Sequence, residues 1–190
     1  MEPLFTQQNL AVRLLTHADA PHLARWLGDP RVQPYWEGVE SPSTEAEVID
    51  RFWGEDAEGH VVLCMVERTG EPIGFLQYLH LADEPATLTE YGLDDASPEG
   101  IWGVDLFIGV PELWNQGIGT ELVKATLAYL FDALHARKVV IDPQTWNHRA
   151  IRCYEKAGFR KVKLLPRHER YEDEWRDGWL MEVTRPAPSW

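Results

Sequence analysis

The chain has 190 residues, of which 44% are hydrophobic and 11% aromatic. That composition excludes a disordered protein and fits one folded domain, residues 1–190, with a sizeable core. Thirty-one acids face eighteen lysines and arginines, a formal net charge of −13. No basic surplus exists to neutralise nucleic-acid phosphates; the excess suits either a cationic partner or plain solubility.

The opening "MEPLFTQQNL" has no basic segment followed by an apolar run, and no apolar stretch is long enough to span a bilayer. The expectation is a chain of the reducing cytoplasm, without a membrane partner. "LAVRLLT" (10–16) alternates as a strand. "THADAPHLARWLGD" reads as a helix capped by Thr16, with Leu23, Trp26 and Leu27 on one face. "SPSTEAEVIDRFWGED" reads as a second helix, with Ser43 or Thr44 as its cap and acids in its first turn. "HVVLCMVERTGEPIGFLQYLHL" gives two strands joined by a turn at Arg68 to Pro72. Residues 82–100 read as a long acidic loop.

"GVDLFIGV" (103–110) is an apolar run bounded by Gly and Pro, a buried strand. A helical stripe follows from Thr120, then a short strand at 138–142. "NHRAIRCYEKAGF" (147–159) is a helix with Asn147 as cap and Gly158 as terminator. Two late strands, near "RKVKLL" and "GWLMEVTR", complete an α/β domain with a mixed sheet. The two cysteines, Cys64 and Cys153, and the seven histidines lack metal-ligand spacing, so no metal site is expected.

"WNQGIGTELV" (114–123) places two glycines just before the helical stripe. The first turn of a helix leaves backbone N–H groups unpaired, and its dipole adds positive character. Glycines let that backbone approach a phosphate. Gln116, Gly117, Ile118, Gly119 and Thr120 would then cradle a pyrophosphate mainly through main-chain N–H groups. A tight turn is the plain alternative, and neither a Walker loop nor the dinucleotide fingerprint is present.

"DLFIGVPELWNQGIGTELVKATLAYLF" followed by "NHRAIRCYEKAGFRKV" resembles the GNAT acetyltransferase superfamily. With "GEPIGFLQY", "IDPQTWNHRAIRCYEKAGF" and an early "PYWEG", the likeness narrows to the aminoglycoside 6'-N-acetyltransferases. It covers about residues 12 to 160. The acidic loop and the tail after 160 fall outside it. The family turn begins with Arg or Gln where this chain has Trp114. The resemblance implies the GNAT acyl-CoA N-acyltransferase fold, a mixed central sheet flanked by helices. It further implies acetyl-CoA as cosubstrate, no metal, an aminoglycoside substrate acetylated at its 6'-amine, and a resistance role. The chain would act as a monomer or homodimer.

The resemblance also implies roles. Trp114, Asn115 and the turn through Thr120 would hold the cofactor, with Asn147 on its pantetheine or phosphate arm. Leu106, Phe107 and Ile108 would pair with pantetheine and polarise the thioester carbonyl. Asp105 is the candidate base, because an alkylammonium with a pKa of roughly 10 must first lose a proton. An Asp inside "GVDLFIGV" is costly to bury without a purpose, although backbone donors would also satisfy it. Tyr154 would protonate the leaving thiolate, or else is a core tyrosine. Asp142 would hold the cationic substrate, or else turns the chain before Pro143. Tyr35, Trp36 and Gln77 match the family's substrate pocket, against plain packing. Glu90, Asp94 and Asp95 would add cation contacts. Rival readings are acylation of a siderophore lysine, a polyamine or a peptide amine, and a sensor that binds drug or acyl-CoA without turnover.

Overall fold

The computed structural model describes residues 2–36, 44–55, 57, 59–93, 98–171 and 173–185. Asp94 and Asp95 lie outside the described residues. Among those described, eight strands form one sheet: β1 (Phe5–Gln7), β2 (Leu10–Leu14), β3 (Val62–Arg68), β4 (Glu71–His80), β5 (Ile101–Ile108), β6 (Lys138–Ile141), β7 (Arg160–Tyr171) and β8 (Glu174–Thr184). Their order is β1-β2-β3-β4-β5-β6-β8-β7. β5 and β6 pair in parallel and the other neighbours antiparallel, so the sheet is mixed as expected. Five helices accompany it: α1 (Ala20–Leu27), α2 (Glu45–Trp53), α3 (Pro85–Tyr91), α4 (Ile118–Asp132) and α5 (His148–Ala157).

Strand alternation sorts the core into two layers. Val12, Cys64, Leu76, Val104, Val139 and Met181 bury against α4 and α5. On the opposite face Met65, Phe75 and Phe107 bury against α1 and α2, and Ile101, Val140 and Leu180 bury against α3. The helices obey the capping rules. Thr44 accepts from the Glu47 N–H at 3.2 Å while the Glu47 carboxylate accepts from the Thr44 N–H at 2.9 Å. Asn147 accepts from the Ala150 N–H at 3.1 Å, and Gly158 ends α5 at φ 108, a left-handed conformation that favours glycine.

Three expectations need correction. The segment 82–100 is not a continuous loop: Pro85 opens α3, Leu88 and Tyr91 bury its inner face, and Gly92 closes it. Pro at N1 with Gly just past the end is a helix signature that the surrounding acids obscured. The first helix starts at Ala20, after a 3₁₀ turn at His17–Asp19. Thr16 caps that turn rather than α1 itself: Asp19 accepts its N–H and its hydroxyl, both at 2.9 Å, and also receives Arg13.

One feature of the sheet positions everything else. β5 pairs β6 at Ile101, Trp102 and Gly103. β5 then runs on to Ile108, still paired with β4 through Gly74↔Ile108, while β6 ends at Ile141. The two parallel strands therefore part in the middle of the sheet and open a passage between its faces.

Candidate active site

The parting of β5 and β6 forms a cleft of about 570 Å³. Its residues come from both sheet faces: Tyr35, Trp36, Gln77, Tyr91 and Asp105 from one, Gly117, Gly119, Thr120, Asn147 and Tyr154 from the other. Leu106, Phe107, Ile108, Trp114, Asn115 and Asp142 also line it. Most sequence-predicted site residues thus meet at one place.

On the α4 side, Asn115 (φ 62) and Gly117 (φ 84) both adopt left-handed backbone. Gly117 is the N-cap of α4, so the N–H groups of Ile118, Gly119 and Thr120 are first-turn donors beside the cleft. A Cβ on Gly117 would meet nothing within 4 Å; glycine serves the backbone conformation there, not packing. The Ile118 side chain is buried in the core, and the Gln116 amide donates back to the Glu112 carbonyl at 2.7 Å. Any contact they make with an anion is through the main chain. Tyr154 is buried at 7% exposure. Burial raises its hydroxyl pKa, and the nearby Cys153, Asp105 and Asp142 push it further. It stays protonated.

On the other face, Asp105 and Gln77 sit opposite each other in the β4–β5 register. Gln77 Nε2 donates to Asp105 Oδ2 at 2.9 Å. Asp105 shares its face with Phe107 and Ile101 and falls between their two apolar clusters. Trp36 both lines the cleft and packs on Phe75 and Phe107, at ring separations of 5.4 and 5.0 Å.

Asp142 follows β6 and is not merely a turn former. Tyr91 donates to its Oδ2 at 2.8 Å, and His168 Nε2 reaches the same oxygen at 2.6 Å. His168 Nδ1 lies 2.6 Å from Glu90 Oε1. Carboxylates only accept, so both ring nitrogens donate and His168 is an imidazolium. The Asp142 hydrogen bond raises its pKa to about 9, against the opposing effect of burial. Burial alone would push the Asp142 carboxyl up, but His168 and then Tyr91 hold it below its ordinary value. Glu90, expected to contact substrate, meets His168 through one carboxylate oxygen, and Lys163 Nζ donates to its backbone carbonyl at 2.6 Å. It does not line the cleft.

His168, Tyr91, Gln144 and Glu169 escaped the sequence reading. Gln144 and Glu169 line the cleft and are hydrogen-bonded to each other. Only Tyr91 had a local signal, the Pro85–Gly92 helix frame. Among the described residues no His, Cys, Asp or Glu group is arranged to hold a metal ion, and no helix is long and apolar enough to cross a membrane.

A through-sheet cleft with a glycine turn on one side and two carboxylates, Asp105 and Asp142, on its lining suits transfer from a phosphate-bearing carrier to a cation. The comparisons agree. Aminoglycoside N(6')-acetyltransferase type 1 of Klebsiella pneumoniae is 32% identical over 158 residues, 82% of this chain and 76% of that protein. The structure of AAC(6')-Ib in complex with ribostamycin and coenzyme A matches with a TM-score of 0.78 and 29% identity, covering 94% of each chain. AAC(6')-Ib with coenzyme A and kanamycin matches at 0.75 and 28%, over 93% of this chain and 95% of that one. The acetyltransferase (GNAT) domain model matches residues 16–166. The chain belongs to the GNAT acetyltransferase family.

Proposed function

We propose that this chain acetylates a primary amine of an aminoglycoside, at the 6' position, with acetyl-CoA as donor, in the cytoplasm and with antibiotic resistance as the outcome. The observation that carries the reading is the cleft itself. It joins the N-terminus of α4 and the Asn147 end of α5 to a wall bearing Asp105 and Asp142. The relatives' names supply the substrate class: aminoglycoside 6'-amines in the K. pneumoniae protein, kanamycin and ribostamycin in the AAC(6')-Ib complexes.

The chemistry follows from the residues. The thioester carbonyl lies along Leu106 to Ile108 with the diphosphate on the 115–120 turn. The substrate arrives as an ammonium, and the acidic wall with Asp142 favours that cation. Asp105, held by Gln77, takes one proton directly or through a water. The freed amine attacks the carbonyl carbon and a C–N bond forms; as the C–S bond breaks, the second proton of the nitrogen passes to the departing thiolate, directly or through a water, and CoA leaves as the free thiol. Tyr154 faces the leaving sulfur. Its raised pKa lies above the roughly 8.5 of a thiol, so it serves the thiolate chiefly as a hydrogen-bond donor. When Asp105 gains the proton, one of the charges that raise the Tyr154 pKa disappears. Transfer is direct, in a ternary complex.

The test is release of free CoA thiol from acetyl-CoA with kanamycin, tobramycin, a polyamine or a lysine peptide in turn. Turnover with the aminoglycosides supports the reading. Turnover with the polyamine or peptide alone overturns the substrate class and leaves the donor. Acetyl-CoA binding without turnover of any amine favours a sensor.

A further inference from the structure

Arg149, the second residue of α5, lines the cleft and holds an unusual position. Its guanidinium carbon lies 3.7 Å from the Trp114 ring centre and 4.6 Å from that of Tyr35. The two rings meet edge to face, 5.8 Å apart at 88°, so the cation sits in an aromatic corner. Trp114 is itself fixed, its Nε1 donating to the Ile108 carbonyl at 2.8 Å. Among the described residues Arg149 has aromatic contacts but no hydrogen-bond or ion-pair partner.

Arg176 is likewise held by two rings, Tyr171 and Trp146, but it does not line the cleft. Arg13, Arg31, Lys138 and Arg160 each hold a carboxylate. In a protein with a net charge of −13, a half-buried guanidinium kept from every described acid is expensive unless a ligand supplies the anion. The ring faces stabilise its charge without accepting its N–H groups in ordinary hydrogen bonds. Its N–H fork has no acceptor among the described residues, and that fork matches two oxygens of a phosphate. Trp114 also opens the bend through Asn115 and Gly117, so the fork and the first-turn N–H groups of α4 border the same space. Arg152 and Lys156 line the cleft from the same helix.

We propose that Arg149 binds a phosphate of the acyl-CoA donor, placed by stacking on Trp114, with the diphosphate beside the 115–120 turn as the group it takes. Trp114 is then the platform that carries a cation donated by α5 to the turn. This rests on the acetyl-CoA reading above.

The experiment is calorimetric titration with CoA and with 3'-dephospho-CoA, without any amine, on the native chain, Arg149→Gln and Arg149→Lys. Arg149→Gln should weaken both ligands about ten- to a hundredfold, the scale of a charged hydrogen-bonded pair. Arg149→Lys should fall between, since it keeps the charge and loses the fork and the stack. A loss confined to CoA would move the arginine to the 3'-phosphate. Unchanged affinity for both ligands would overturn the proposal. Thermal melts accompany each variant. If Arg149→Gln does not fold, the lysine variant decides: native affinity in a folded Arg149→Lys overturns the assignment. With no amine present, an error in the substrate class leaves this result standing. A native chain that binds neither ligand sinks the donor reading itself.

Discussion

The two walls of the cleft are built on different plans. The α4–α5 wall comes from two short stretches, residues 114–120 and 147–154, and its chemistry lies largely in backbone N–H groups and a capped helix end. The acidic wall draws single side chains from four places, Gln77 on β4, Asp105 on β5, Tyr91 on α3 and Asp142 after β6, while His168 on β7 and Glu90 on α3 support Asp142 without lining the cleft. A backbone site leaves a contiguous trace in the sequence, because conformation is set by neighbours. A side-chain site leaves scattered residues that only the fold brings together.

The strongest way to break this comparison is at the acidic wall. Asp105→Asn keeps the shape and removes the proposed base. We expect kcat to fall by about 10²–10⁴, with a far smaller change in the KM for acetyl-CoA, measured by thiol release. A loss under tenfold would make Asp105 a partner of Gln77 rather than the proton acceptor. The matching change on the other wall is Tyr154→Phe. It removes one hydrogen bond to a leaving group that is already a fair one, so about a ten- to hundredfold drop in kcat is expected. A fall as deep as that of Asp105→Asn would mean that full proton transfer from Tyr154 is required.

These contrasts explain what was legible. The Asn147 cap, the Gly158 stop and the Gly117 turn are local rules, and each was readable from a few neighbouring letters. Asp105 was readable because a charge inside an apolar strand is conspicuous. The setting of Asp142 was not readable. Its partners lie 51 and 26 residues away, at Tyr91 and His168, and no spacing rule joins them. The partner of Glu90 was hidden for the same reason: it is a histidine 78 residues on. β7 and β8, beyond the recognisable stretch, proved to be a long hairpin that delivers His168 and Glu169 to this wall. Gly178 makes room for the ring, since a Cβ there would lie 3.0 Å from His168 Cδ2.

His168 supplies a pH dependence that the backbone-built wall lacks. Its folded pKa, about 9, lies above the ordinary 6.5. The proton is therefore held more tightly in the folded state. Its contribution is fully present below about pH 6.5 and is lost as pH rises through about 9, at most about 3 kcal/mol. Asp142 acts at the other end: its lowered pKa stabilises the fold above its ordinary value of 3.8 and that gain fades as pH falls below it. Urea melts at pH 6 and pH 9.5 should show the native chain losing stability on the alkaline side. His168→Gln should remove most of that difference. An unchanged slope in the variant would mean the imidazolium bridge is not formed in solution.

The smallest effects sharpen the other wall. Gly117→Ala puts a side chain where φ is 84 but where nothing lies within 4 Å. The cost is conformational, so stability should fall by about 1 kcal/mol. Gly119→Ala is the control. It lies inside α4, and its Cβ would stand 3.4 Å from Cys153 Sγ, ordinary contact. Alanine is the better helix former by up to about 1 kcal/mol, so stability should hold or rise. Both glycines line the cleft. If close backbone approach to the diphosphate is what the turn provides, both variants should weaken CoA binding while moving stability in opposite directions. CoA affinity that simply follows stability, lost in Gly117→Ala and kept in Gly119→Ala, would mean the glycines serve the turn's shape alone. The contrast between a backbone-built and a side-chain-built wall would then hold for folding but not for binding.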